Sequence, residues 1–325
     1  MKRVHLVGCI VLVLGLLAVF IPVPWASAQE KIAGEDHWVS SISAADGKPL
    51  KLYVREKRLK DIDVKEFSTT GKVVLLLHGT PTSGHIVFDL QVPGSSGLTY
   101  SLMDYLAEQK FDVFTVDYQN HGRSDKHECG LCVTTQVVVN DIDAVVGYIH
   151  GLRGVKQIYL LGFSWGTQVG GLYTMQRPHK VKRLILDAPP VQKGPTGDPP
   201  TSQFRQVTEE GIKGLFEPQA TDAVVVDTYV KETLKFPNAP NGALFDVRNR
   251  MPIVQPRQVP VPTMIIMGSL DRATPITQPE LPGFFAELAN PDKQFIIVPG
   301  AGHMLHLQKP RLRFFTEVVK WFSLD

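Results

Sequence analysis

The sequence predicts an α/β fold with a mainly parallel central sheet. Three observations carry that expectation. Strand-like apolar runs alternate with segments of helical spacing up to residue 188 and again after residue 261. One run, KVVLLLHG (72–79), is apolar along its whole length, as a strand covered on both faces must be. Another, KQIYLLG (156–162), ends in a glycine two residues before Ser164, and helical spacing follows at once.

The chain opens with Lys2 and Arg3, then a long apolar run from Val4 to about Val23, then Pro24 and ASA at 26–28. A charged start, an apolar stretch and an A-x-A site predict a signal peptide over residues 1–28, with Gln29 as the first mature residue. The alternative is an uncleaved anchor, since about 18 apolar residues can span a bilayer. A lipoprotein site at Cys9 fits poorly, because most of the apolar run follows it. The expectation is a secreted or periplasmic protein with no stable membrane anchor after cleavage.

Residues 29–188 are expected to form the first part of the core. HWVSSISA (37–44) and LKLYVRE (50–56) flank the turn ADGKP and predict a hairpin. After the strand at 72–79, LTYSLMDYLAEQ (98–109) has helical spacing and FDVFTVD (111–117) reads as a strand. Val138, Ile142, Val145 and Ile149 share one helix face within 134–150. WGTQVGGLYTMQR (165–177) continues as a helix and VKRLILDA (181–188) as a strand.

The alternation breaks over 189–260. Proline-rich stretches, APPVQKGPTGDPP and MPIVQPRQVPVP, bracket helix-like TDAVVVDTYVKETL. Recurring apolar residues such as Phe204, Phe216, Val225 and Phe236 argue against a disordered linker. An inserted lid is expected there. Residues 261–325 complete the core, with strands at TMIIMGS (263–269) and KQFIIVPG (293–300) and an amphipathic helix at QKPRLRFFTEVVKWF (308–322).

Of 325 residues, 43% are apolar and 20% charged, ample for a large core. Removing 1–28 leaves 32 of the 34 basic residues against 32 acidic ones, so neither nucleic acid nor an anionic membrane is an expected partner. A small-molecule substrate is. Cys129 and Cys132, in HECGLC, are expected to form a disulfide in an exported protein. So short a loop contributes about 2 kcal/mol. A redox dithiol or half a zinc site are the alternatives, but no second C-x-x-C accompanies them. No metal cluster or dinucleotide fingerprint is present, and GSSG (94–97) lacks a phosphate loop's strand–helix context, so no cofactor is expected.

GFSWG (162–166) places Ser164 between glycines where a strand gives way to a helix. A serine hydroxyl needs a base to become a nucleophile, and the base needs an acid to orient it. His303, in PGAGHMLHLQKP, follows the last strand, and Asp271, in MGSLDRATP, follows the strand before it. Both therefore belong to the sheet edge that carries Ser164. Rivals exist. His306 is close to His303 but is expected to start the closing helix. Asp187 also ends a strand and is an alternative acid. His78 and His121 are expected to hold loop backbones, and His85 either lines the pocket or faces solvent.

These segments resemble the α/β-hydrolase superfamily over about residues 40 to 325. HGTP (78–81) is similar to its oxyanion loop, DYQNHGRSD (117–125) to the stretch after the next strand, GFSWG to its nucleophile elbow, GSLDRATP to its acid loop and GAGH to its histidine loop. The resemblance implies that Ser164 attacks a carbonyl, His303 relays the proton, Asp271 orients the imidazole, and the backbone N–H groups of Thr80 and Trp165 hold the oxyanion. Haloalkane dehalogenases and epoxide hydrolases of this fold carry aspartate at the elbow, so serine points to acyl transfer, most simply ester hydrolysis. A proline iminopeptidase-like enzyme, a C–C bond hydrolase, a cofactor-free haloperoxidase-like enzyme and a non-catalytic binding member of the fold remain the alternatives.

Overall fold

The computed structural model describes residues 31–44, 46–95, 100–192, 198 and 200–324. The expected signal peptide and the second half of GSSG lie outside the described residues.

The first strands form the expected hairpin, longer than the turn signal alone suggests: β1 (Ile32–Ile42) pairs antiparallel with β2 (Pro49–Leu59) along its full length. A short helix α1 (Glu66–Thr70) leads into β3 (Val73–Leu77), followed by α2 (Gly84–Phe88), α3 (Leu102–Glu108) and β4 (Asp112–Val116). The helix read over 98–109 begins at Leu102 because Ser101 caps it, its hydroxyl accepting from Asp104 N at 2.9 Å. Then come α4 (Thr135–Arg153), β5 (Ile158–Phe163), α5 (Trp165–Gln176) and β6 (Val181–Asp187).

Between 189 and 260 lie a two-stranded antiparallel ribbon, β7 (Phe204–Gln206) with β8 (Asn238–Pro240), and three helices, α6 (Glu209–Lys213), α7 (Ala223–Thr233) and α8 (Gly242–Asn249). The chain ends with β9 (Thr263–Gly268), α9 (Leu281–Glu287), β10 (Lys293–Val298) and α10 (Arg311–Phe322). The closing helix starts at Arg311 rather than 308, since Pro310 stands at its N-cap. His306 consequently does not start it. It lies in a separate buried turn, Leu305–Leu307.

The eight-stranded sheet runs β1-β2-β4-β3-β5-β6-β9-β10. β2 pairs antiparallel with both neighbours, and the rest of the sheet is parallel. Apolar side chains cover both faces. Val74 and Leu76 of β3 face a cluster with Leu106, Phe314 and Trp321, whereas Val73, Leu75 and Leu77 face one with Val138, Ile142 and Val169. That period of two inside a continuous apolar run explains why β3 was legible. The segment between β6 and β9 joins both clusters, through Phe216, Val225 and Tyr229 on one face and Ala243, Val254 and Val259 on the other. Strand order reverses at β3, with β4 on one side and β5 on the other. The crevice beyond their carboxyl ends is where open α/β sheets bind ligands.

Candidate active site

The turn after β5 is sharp. Ser164 has φ 55° and ψ −122°, a conformation side chains of L-residues rarely adopt. The flanking glycines permit it. A Cβ on Gly162 would lie 2.2 Å from the Gly166 carbonyl oxygen, and one on Gly166 would lie 2.2 Å from that of Leu77. Both backbones therefore pack where no side chain fits. Ser164 N donates to Asp187 O at 2.8 Å, which ties the turn to the end of β6.

Three distant segments converge on this turn. His303 Nε2 is 3.1 Å from Ser164 Oγ, and His303 Nδ1 is 2.9 Å from Asp271 Oδ2. The other Asp271 oxygen accepts from the N–H groups of Ala273 and Thr274, each at 2.9 Å. Thr274 Oγ1 lies 2.7 Å from Oδ2 and 3.1 Å from Ala188 O. Burial pushes the Asp271 carboxyl up, but His303 and the Thr274 hydrogen bonds outweigh it and hold the group below the usual carboxylate range. An ionised Asp271 is what a doubly hydrogen-bonded imidazole requires.

Asp187 does not compete. Its carboxyl is fully buried, and among the described residues neither oxygen has a hydrogen-bond partner. Burial, then the charge of Asp271, pushes it well above the usual range. It faces His306, whose Nδ1 is 3.8 Å away, too far for a hydrogen bond. His306 packs among Phe88, Phe163 and Phe314, and burial followed by His303 pushes it down to about 3. Asp187 and His306 are thus a neutral pair beneath the site.

The loop after β3 meets the same turn. Gly79 is so close that a Cβ on it would lie 2.8 Å from Ser164 Cβ. His78 fixes this loop as anticipated. Its Nδ1 donates to Gly79 O at 2.6 Å and its Nε2 accepts from Tyr118 N at 3.2 Å. That pattern defines the neutral tautomer, and burial pushes the ring down to about 4. His121, beneath Tyr118 and Trp165, has its Nδ1 3.1 Å from Gln119 O. His85 is half-buried and does not stand alone: its Nδ1 is 2.7 Å from the buried Asp117, and its ring meets Tyr53 and Phe236 edge-on. The Trp165 indole is buried and donates to Thr135 Oγ1 at 3.0 Å, so its side chain is structural. The backbone N–H groups of Thr80 and Trp165 donate to no described backbone or side-chain acceptor.

Cys129 and Cys132 are joined by a disulfide with Cα atoms 5.3 Å apart. Their loop touches the β7–β8 ribbon. Leu131 N donates to Gln203 Oε1, Gly242 N to Gly130 O, and a Cβ on Gly130 would lie 2.0 Å from Gln203 O.

Two contributors were invisible in the sequence. Thr274 lay inside the acid-loop motif without a role attached. Arg205 lay in a polar stretch with no motif, yet its Nη2 donates to Thr80 Oγ1 at 2.7 Å. Nothing local marks an arginine that reaches the loop 125 residues before it.

The family Hydrolase_4, described as serine aminopeptidase S33, matches residues 93–310. Epoxide hydrolase 3 of Siraitia grosvenorii is 27% identical over 116 residues, covering 36% of this chain and 32% of that protein. The proline iminopeptidase of Neisseria gonorrhoeae is 27% identical over 108 residues, 33% of each chain. The chain thus spans about a third of the length of these curated relatives. Among solved structures, an esterase from Thermogutta terrifontis superposes with a TM-score of 0.62 at 17% identity, over 88% of this chain and 97% of its own. A likeness at that identity speaks to the fold, here that of the α/β-hydrolases.

Proposed function

This chain belongs to the serine aminopeptidase S33 family of α/β-hydrolases, and we propose that it is a serine hydrolase, exported by the signal its N-terminal sequence carries. It cleaves a carboxylic ester of a small or medium, largely apolar substrate by a Ser164–His303–Asp271 triad. The observation that carries this reading is the placing of one imidazole between Ser164 Oγ and Asp271 Oδ2.

The chemistry follows from that geometry. His303 Nε2 takes the Ser164 proton as Oγ attacks the ester carbonyl carbon. The developing oxyanion accepts hydrogen bonds from Thr80 N and Trp165 N, each worth on the order of 3 kcal/mol in the transition state. Collapse expels the alcohol, which takes the proton from His303, and leaves an acyl-serine. Water, deprotonated by the same imidazole, then releases the acid. Asp271, ionised and held by Ala273 and Thr274, stabilises the imidazolium at each stage. A serine nucleophile separates this chemistry from the aspartate-based ring opening of epoxide hydrolases. Residues 189–260 act as the lid that limits substrate size, and residues 1–28 as the export signal removed before Gln29.

The family description and the iminopeptidase relative favour a second reading, cleavage of an amino-terminal peptide bond. Arg205 argues against it, because a cation beside Thr80 opposes a substrate's free ammonium. A fluorophosphonate probe tests the nucleophile: wild type is labelled at Ser164 and Ser164→Ala is not. p-Nitrophenyl esters and aminoacyl anilides, compared by kcat/KM, then separate the two readings. Preference for the anilides overturns ester hydrolysis. N-terminal sequencing of exported protein checks the start at Gln29.

A further inference from the structure

Among the described residues Arg205 has no counter-ion. Its Nη1 donates to Pro240 O at 2.8 Å and Asn241 Oδ1 at 3.1 Å, and its Nη2 to Thr80 Oγ1 at 2.7 Å. A guanidinium has five N–H donors. The Nε proton and one Nη2 proton therefore have no acceptor among the described residues. No described carboxylate lies within ion-pair distance either, and the other charge acting on it is a second cation, Arg248. Burial and that repulsion push the guanidinium down to about 10. Arg205 is half-buried, whereas two buried arginines meet carboxylates: Arg153 meets Asp112 and Glu56, and Arg183 meets Asp292 at 2.8 Å.

A partly desolvated charge is unfavourable unless something neutralises it. This one is also fixed in place. The Asn241 carboxamide donates to Ser202 O at 2.9 Å, Asn241 N donates to Gln203 O, and the disulfide loop packs on Gln203. The spare Nε proton and spare Nη2 proton belong to adjacent nitrogens of one planar group, which is suited to a carboxylate. Thr80, which that guanidinium holds, follows Gly79, the residue in contact with Ser164.

We propose that Arg205 is a subsite for a substrate carboxylate, so that the preferred ester, apolar elsewhere, carries one acid group on its acyl chain, as in a monoester of a short dicarboxylic acid. The acyl side is assigned because one residue, Thr80, bonds Arg205 through its hydroxyl and carries the backbone N–H that the proposed mechanism gives to the carbonyl oxygen. The carboxylate and the scissile carbonyl are therefore neighbours. This subsite deepens the ester-hydrolase reading and rests on it for turnover, but not for binding.

The test compares p-nitrophenyl hemiglutarate with p-nitrophenyl hexanoate, of similar size but neutral. In wild type, kcat/KM for the hemiester exceeds that for the hexanoate by about tenfold or more, the range of a charge-assisted bidentate contact. In Arg205→Gln that ratio falls to one or below, and Arg205→Lys restores part of it. A wild-type ratio at or below one, or a ratio unchanged in Arg205→Gln, overturns the subsite. Equal losses on both esters assign Arg205 to the oxyanion loop instead and overturn it as well. Calorimetric titration of free glutarate into Ser164→Ala needs no turnover. Binding there that weakens about tenfold in Ser164→Ala/Arg205→Gln supports the subsite even if both esters prove inert, which would sink the hydrolase reading alone. Absence of glutarate binding alongside fluorophosphonate labelling sinks the subsite alone. If Arg205→Gln gives no cooperative melt, the wild-type ratio and Arg205→Lys decide.

Discussion

The hydroxyl of Thr274 lies 2.7 Å from the Asp271 carboxylate and 3.1 Å from the backbone oxygen of Ala188. It thereby ties the loop after β9 to the residue after β6. Asp187, one residue before Ala188, has its carboxyl turned toward His306 instead. Two aspartates at the ends of neighbouring strands therefore have opposite states, one ionised and hydrogen-bonded, the other neutral and without a hydrogen-bond partner among the described residues.

The acid assignment has a direct kinetic consequence. Asp271→Asn is expected to reduce kcat on p-nitrophenyl esters by about 10³–10⁴-fold, as loss of the orienting carboxylate does in such triads. Asp187→Asn keeps kcat within about threefold, because the group it replaces is already neutral. Comparable losses in the two variants would reverse the assignment.

Backbone strain at Ser164 predicts a stability difference between two inactive proteins. Alanine must keep φ near 55°, whereas glycine adopts it without a Cβ clash. Ser164→Gly should therefore exceed Ser164→Ala by about 1 kcal/mol, or roughly 2–4 °C in melting temperature for a domain of this class. Scanning calorimetry on both variants checks this. An alanine variant that melts higher than the glycine one shows the turn to be unstrained.

Asp141, on α4, is buried beside Gln119 and Ser41, and burial pushes its carboxyl up to about 7 despite both hydrogen bonds. The unfolded chain loses this proton near pH 4 and the folded chain near pH 7. In that window the folded state holds more protons, so stability falls as pH rises. Above pH 7 the full penalty applies, on the order of 4 kcal/mol. Asp141→Asn removes it. The variant should melt above wild type at pH 8, and the gap should shrink on acidification to pH 5. A gap independent of pH would show that Asp141 is ionised throughout.

The disulfide loop touches the ribbon that carries Arg205 and none of the triad side chains. Replacing Cys129 and Cys132 by serine is expected to lower stability by about 2 kcal/mol. KM should rise more than kcat falls. Steady-state kinetics with thermal melts read both effects, and a collapse of kcat at constant KM contradicts them.

Legibility tracked sequence distance. β3, β5, β6 and β9 were readable because each is apolar on both faces, and the nucleophile because Gly162, Ser164 and Gly166 form one short motif. The helix ends at Leu102 and Arg311 moved because Ser101 and Pro310 act locally where the apolar period is silent. Asp271 and Asp187 look alike in sequence, since both end strands. Thr274 and the fall of the following loop decide between them.

The chain by itself thus determined the class of fold, the strand-ending serine and histidine, and a short list of acids, because burial pattern and turn chemistry are written within a few consecutive residues. Tertiary structure alone decided which carboxylate is ionised beside His303, that His306 is a neutral core residue, and that Arg205 reaches Thr80. Desolvation and charge pairing depend on neighbours in space, and here those neighbours are 29 to 139 residues apart along the chain.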